Sequence, residues 1–280
     1  MTNTAFVLSI AGLTDVGRAR ARNEDDFHVS GGQTGKAQTG GGEFAVVCDG
    51  MGGHAGGDIA SRKAVQVIAG SLRNHVPDDA ALVAGGADSD LTQTDPAATE
   101  PSVRRALSVV RTAIQQTNRT IFEMNQARGF ASGRGMGTTV AGIWRIPGTA
   151  RMIVFHAGDS RVYRLRDGEL RALTRDHSLY QIWLDNGGRG AVPQRNIIVR
   201  ALGTGEEVEP EVSVHSLMPD DVVMICSDGL NGMLPDGFIA RILRQEADPP
   251  RAAAALVDAA NAAGGQDNVT AVVGRFIATA

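Results

Sequence analysis

The sequence is poor in cysteine, with only Cys48 and Cys226 in 280 residues. Two thiols make neither a disulfide framework nor a four-cysteine zinc site, and both lie in apolar runs, so a reducing cytoplasm is the expected setting. Excess basic charge is missing too. Lys and Arg number 27 against 31 Asp and Glu, a net charge of −4, which removes the cationic footprint of a nucleic-acid binder. No run approaches the roughly 18 apolar residues of a membrane-spanning helix. The start, MTNTAFVLSIAG, lacks the basic region of a signal peptide. A soluble, unprocessed, cytoplasmic chain with no nucleic-acid or membrane partner is expected. Glycine is the reverse case: 35 residues, well above the usual share of about 7%, call for tight turns or close backbone approach.

An apolar fraction of 42% is enough for one core, and a single domain over 1–280 is expected. Two segments poor in large apolar residues, 31–42 (GGQTGKAQTGGG) and 77–101, read as flexible insertions, the first between strands and the second between helices. Helical spacing appears from Ile59 to Leu72 and from Val103 to Met124, with Pro101 suited to a helix start. Phe238 to Leu243 and an Ala-rich run from Arg251 to Ala263, stopped by Gly264 and Gly265, complete four major helices. Strand-like runs cover 44–48, 138–144, 152–156, 162–165, 221–226 and 269–276, and Asp167-Gly168 marks a hairpin into 169–173. Strands in blocks and helices in pairs predict an α+β fold, a four-layer αββα sandwich of two antiparallel sheets flanked by helix pairs.

The acids fall at strand mouths. Asp49 follows FAVVC, Asp159 follows MIVFHAG, Asp228 follows VVMICS and Asp267 precedes NVTAVVG. Singly, an Asp-Gly at a strand end is an ordinary turn. Four gathered at one end of a buried sheet would repel each other unless cations neutralise them. Aspartates and carbonyls without a Cys or His cluster suit Mg²⁺ or Mn²⁺. Two such ions sharing one Asp would align a hydroxide for attack on phosphorus, which points to phosphate ester hydrolysis.

Seven segments in order, TDVGRARARNEDDF, VCDGMGGHAGGDIAS, GMGTTVAG, HAGDSRVYRLRDGEL, LTRDHSL, ICSDGLNGML and GGQDNVTAVV, resemble bacterial metal-dependent serine/threonine protein phosphatases of the protein phosphatase 2C type. The resemblance implies that Asp49 bridges two metals, the Gly50 carbonyl binds one, and Asp228 and Asp267 bind the other. It implies that Glu24 holds metal-bound waters, with Asp25 assisting, that Asp159 completes a weaker third site, and that Arg20 grips phosphate. A guanidinium suits that task because it donates two parallel hydrogen bonds. Strand alternation would place Arg18, Arg20 and Arg22 on one face.

The implied cofactors are two Mn²⁺ or Mg²⁺ ions per chain and a weaker third. The implied partners are phosphorylated proteins, including a serine/threonine kinase and its substrates. Eukaryotic members carry a histidine as proposed general acid where this chain has Met51, which leaves a metal-bound water or His54 for leaving-group protonation. His156 reads as a hydrogen-bonded core residue, Ser178 as part of a DHS element or a plain helix cap, and Cys48 and Cys226 as small core residues. The segment SLYQIWLDNGGRGAVPQRNIIVRALG after that element is shorter than usual. Rival readings are a catalytically silent phosphoprotein-binding module of the same fold, or turnover of small phosphate esters or phosphotyrosine.

Overall fold

Near-continuous burial of the central strands, covered on both faces, marks two antiparallel sheets in a computed structural model that describes residues 6–31, 42–52, 56–74, 101–147 and 149–278. One sheet joins β1 (Phe6–Asp15), β11 (Val269–Ala278), β10 (Val222–Cys226), β7 (Arg161–Arg166) and β8 (Glu169–Ala172) in that spatial order. The other runs β2 (Asp25–Ser30), β3 (Phe44–Met51), β5 (Val140–Arg145), β6 (Arg151–Ala157) and β9 (Glu211–Ser216), with the two-residue β4 (Gly137–Thr138) also paired to β3. Leu8, Val47, Ile143, Val154, Val223 and Val272 fill the space between the sheets. At Gly12 β1 lies tight against β2, since a Cβ there would stand 2.6 Å from the Phe27 ring.

The opposite faces carry the helices. Phe44, Val46, Trp144 and Phe155 pack under α1 (Gly57–Arg73) and α2 (Pro101–Ala127). Tyr163, Met224 and Val273 pack under α5 (Asp236–Gln245) and α6 (Pro249–Ala262), with the single-turn α4 (Asp228–Asn231) beside them. The four expected helices and the four layers are therefore present. The helix over 251–263 begins earlier, at Pro249, because Asp248 caps it by accepting from the Arg251 N–H. Left-handed Gly264 and Gly265 end it.

Three strands have no forerunner in the sequence reading: β1 has a mid-strand glycine, and β2 (DDFHVS) and β9 (EVSVHS) are mostly polar edge strands. The run 138–144 is split at Thr139, whose side chain turns to the carboxylate end. Helix α3 (Leu179–Asp185) starts at Ser178, which accepts from the Gln181 N–H as a cap. The expected insertions fall mostly on 32–41 and 75–100, and these, with His54, lie outside the described residues. No described helix is long and apolar enough to cross a membrane.

Helix α2 also fixes chain remote from it. Asn125 donates to the carbonyls of Met136 (2.7 Å) and Gly203 (2.9 Å) and accepts from the Met136 N–H (3.0 Å). Asn118, two turns earlier, donates to Gly205 and Glu206 and accepts from the Gly203 N–H. These amides satisfy buried backbone groups that no strand reaches. Asn125→Ala would leave three of them unpaired, so urea unfolding should show a loss of about 3 kcal/mol; a loss below about 1 kcal/mol would mean that the clamp is idle.

Candidate metal centre

Strand direction brings the acids together. β3 carries Asp49 two residues before its end, β2 begins at its cross-strand partner Asp25, β10 leads into Asp228, β6 leads through Gly158 into Asp159, and β11 starts two residues after Asp267. All five positions lie at one end of the sandwich, with Glu24 and Arg20 on the loop before β2.

Backbone contacts hold each acid in place. Asp49 donates its N–H to Thr139 Oγ1 (3.0 Å), and its carbonyl accepts from Thr138 Oγ1 (2.9 Å) and the Thr139 N–H (2.8 Å). Thr139 Oγ1 also lies 2.7 Å from Ser160 Oγ, tying the Asp49 turn to the Asp159 turn. Asn268 joins the other half: its Oδ1 accepts from the Glu24 N–H (2.8 Å), and its Nδ2 donates to the carbonyls of Val16 and Arg22. Its own N–H donates to Asp267 Oδ1 (2.8 Å).

Glycine permits the crowding. A Cβ on Gly17, which has a φ of +80°, would collide with the Asp267 carbonyl, and one on Gly229 would collide with that of Asn268. A Cβ on Gly57 would stand 2.8 Å from Glu24 Oε2 and 3.0 Å from the Gly50 oxygen, so these two oxygens flank a single glycine.

The electrostatics are those of anions without counterions. Burial, then the charges of Asp25, Asp228, Asp159 and Asp267, push the Asp49 carboxyl well above its usual range. Burial, then the charge of Asp267, also raises the Asp228 carboxyl above its usual range. Asp159 is pushed up to about 7 by burial and by Asp228 and Asp176. Burial raises Asp25 to about 6 although Thr270 Oγ1 (2.6 Å) and Ser227 Oγ (2.7 Å) donate to its Oδ2. Glu24 is raised by burial and by Asp58. Asp25 Oδ1 and Asp159 Oδ1 are buried with no hydrogen-bond partner. Buried lone pairs in an all-oxygen setting fit hard divalent cations.

Arg20 enters this cluster, its Nη2 donating to Asp267 Oδ2 at 2.7 Å with the guanidinium half exposed. The expectation of a strand carrying Arg18, Arg20 and Arg22 is wrong. Residues 16–24 form turns and irregular chain, because left-handed Gly17 breaks the extended run and Arg18 and Ala19 donate to the Gly265 carbonyl. Sequence reasoning also missed Thr138, Thr139, Ser227, Asn268 and Thr270 as holders of the acids. The available signal was adjacency: Ser227 and Asn268 each touch a motif aspartate in the chain.

His156, His177 and Glu211 form a separate cluster, with imidazole Nε2 atoms 3.5 and 3.3 Å from Glu211 Oε2. The two rings stack at 4.4 Å and 14°, so their lone pairs run side by side instead of converging. His156 Nε2 donates to the Arg175 carbonyl (2.8 Å), and Arg200 Nη1 sits 3.0 Å from His177 Nε2, where its charge opposes a cation. The cluster is a brace: His177 Nδ1 accepts from the Gly158 N–H (3.2 Å) and so supports the turn before Asp159. His156 is a buried, hydrogen-bonded core residue, and Cys48 and Cys226 are fully buried, with burial raising Cys226 to about 12.

Protons and divalent ions should compete for these carboxylates. Because Asp25 and Asp159 titrate near 6 and 7, the rise in Tm caused by saturating Mg²⁺ over an EDTA control should grow as pH passes up through that window. The histidines contribute to both samples and cancel in the difference. A Tm difference that is flat across the window would contradict cation binding by these acids.

A family model for protein phosphatase 2C matches residues 17–260. The serine/threonine protein phosphatase PstP of Mycobacterium tuberculosis is 33% identical over 98% of this chain, which spans only 46% of that relative's length. The serine/threonine phosphatase stp of Listeria monocytogenes is 31% identical, covering 93% of this chain and 92% of the relative. Among solved structures, the Streptococcus agalactiae serine/threonine phosphatase superposes with a TM-score of 0.76 at 29% identity, covering 96% of this chain and 99% of the other. The PstP catalytic domain solved with two manganese ions superposes with a TM-score of 0.74 at 30% identity, covering 98% of this chain and all of that one. With its acids converging at one sheet end and its seven motifs in order, the chain belongs to the protein phosphatase 2C family.

Proposed function

We propose that the chain hydrolyses phosphoserine and phosphothreonine in proteins, and that Asp49, Asp228, Asp267 and the Gly50 carbonyl hold a pair of Mn²⁺ or Mg²⁺ ions. Asp159 is suited to a weaker third ion, and Glu24 and Asp25 to ordering the waters around the pair. The observation that carries this reading is the crowding of buried carboxylates, two with orphaned oxygens, around one half-exposed arginine. Divalent ions bound there would lower the pKa of water toward about 7 and so supply hydroxide at neutral pH.

The remaining work falls to this chain. Arg20 is tied to Asp267 by one hydrogen bond at an exposed position, so its guanidinium is free to turn to phosphoryl oxygens once Asp267 has another partner. The Thr138–Thr139 and Asn268 bonds keep Asp49 and Asp267 from relaxing apart, which preserves alignment for attack. Met51 has no proton to give a leaving alkoxide, so that proton comes from solvent within the site. The partners are phosphorylated proteins, among them a serine/threonine kinase and its substrates.

With Mn²⁺, a phosphothreonine peptide should release phosphate, and EDTA should abolish the release. Asp49→Ala should lose nearly all turnover, and Arg20→Ala should lower kcat/KM by about a hundredfold, the scale of a lost bidentate clamp on the transition state. Wild-type turnover in Asp49→Ala would refute the bridging role. Peptide binding without any release by the native chain would favour a silent binding module, and equal rates on a phosphotyrosine version would remove the serine/threonine preference.

A further inference from the structure

Strand β7 carries guanidinium groups in two different situations. Near Asp159, Arg161 is held by both oxygens of Asp176, at 2.7 and 2.6 Å. Farther along, Arg164 stands directly opposite Arg171 of β8. Like charges in that relation destabilise a strand pair, yet among the described residues neither side chain has a hydrogen bond or an ion pair. Arg164 Nε is buried with no partner.

Alternation places this pair. Val162, Arg164 and Arg166 share a face of β7, and Val162 is packed between the two sheets, so Arg164 points into the intersheet gap. On β9, Val212 and Val214 pack outward with the α1/α2 layer, which turns Ser213 and His215 into the same gap. Ser213 Oγ lies 2.8 Å from His215 Nε2. Arg166 Nη2 donates to the Ser216 carbonyl, so β7 and β9 approach each other here, and β8 is the hydrogen-bonded neighbour of β7.

Of the nearby acids, Asp221 is taken by Arg166 and the Met218 N–H, and Glu169, opposite Arg166, forms no ion pair among the described residues. Burial, then Arg164, Arg171 and Arg166, hold the His215 imidazole below its ordinary pKa.

We infer that the gap between β7, β8 and β9 is a binding site for a phosphate group, free or carried on a protein side chain. Its donors come from three strands in two sheets, so they surround a tetrahedral oxyanion better than a planar carboxylate. Arg164 is five residues beyond Asp159, about 16 Å of extended chain, so this site is distinct from the carboxylate centre and does not depend on hydrolysis there.

The test is a chemical-shift titration of the His215 imidazole in the Mg²⁺-loaded full chain, with the resonance assigned through His215→Gln. One arm uses inorganic phosphate and the other a peptide carrying a non-hydrolysable phosphonate analogue of phosphothreonine. A bound anion favours imidazolium, so the His215 midpoint should move to higher pH, and Arg164→Gln or Arg171→Gln should weaken the response about tenfold, the loss of one charge-assisted bond. Arg171 is exposed, so its replacement leaves the fold intact even if that of Arg164 does not. Response in only one arm identifies the source of the phosphate. A resonance unmoved in both arms, or moved equally in both variants, would overturn the site.

Discussion

Mutual repulsion among buried carboxylates is the constraint on which this molecule turns. Two unit charges about 4 Å apart repel by about 4 kcal/mol at an effective dielectric of 20, and a whole domain is stable by only about 5–15 kcal/mol. Burial first, and then the charges of their neighbours, raise the carboxyls of Asp25, Asp49, Asp159 and Asp228, so ionising them together without cations is costly. The fold tolerates it because the acids sit on strand ends whose other residues are among the most deeply buried in the chain, such as Val46, Cys48, Ile225 and Cys226.

Rigidity at that end comes from hydrogen bonds to the backbone more than from ion pairs. Thr139 ties Asp49 to Ser160, and Asn268 ties Asp267 to residues 16–24. The His156–His177–Glu211 brace supports Gly158 from outside. The Thr139 and Asn268 links are short bonds of neutral side chains that do not depend on a cation, so removing the cation would leave these carboxylates in place while making them costly. Such preorganisation keeps a site ready without reorganising at each cycle.

Much of this was legible in the sequence because apolar runs ending in Asp-Gly are local signals: β3 with Asp49 and β10 with Asp228 could be read within ten residues. The helices α1, α2 and α6 were legible for the same reason, their periodicity being internal. What could not be read depends on pairing across long separations. β2 and β9 are polar edge strands whose identity comes from neighbours, with β9 pairing to β6. The Arg20 loop was mistaken for a strand because alternating Arg-Ala is compatible with extension, and what prevents it is the left-handed turn at Gly17 with the bonds of Arg18 and Ala19 to Gly265, residues remote in the chain. Asn268 and Thr139 act across 244 and 90 residues, which no spacing rule reveals.

A net charge of −4 therefore conceals an uneven field. One end of the sandwich gathers carboxylates, while farther along β7 Arg164 and its cross-strand neighbour Arg171 face a gap in which Asp221 is already bound by Arg166. A phosphorylated protein approaching the first end would be repelled until cations reverse its sign, whereas the arginine gap attracts phosphate at all times. Separating the two along one strand keeps the arginines from neutralising the carboxylates directly, so the acid cluster retains its need for metal and the basic gap keeps its unpaired donors.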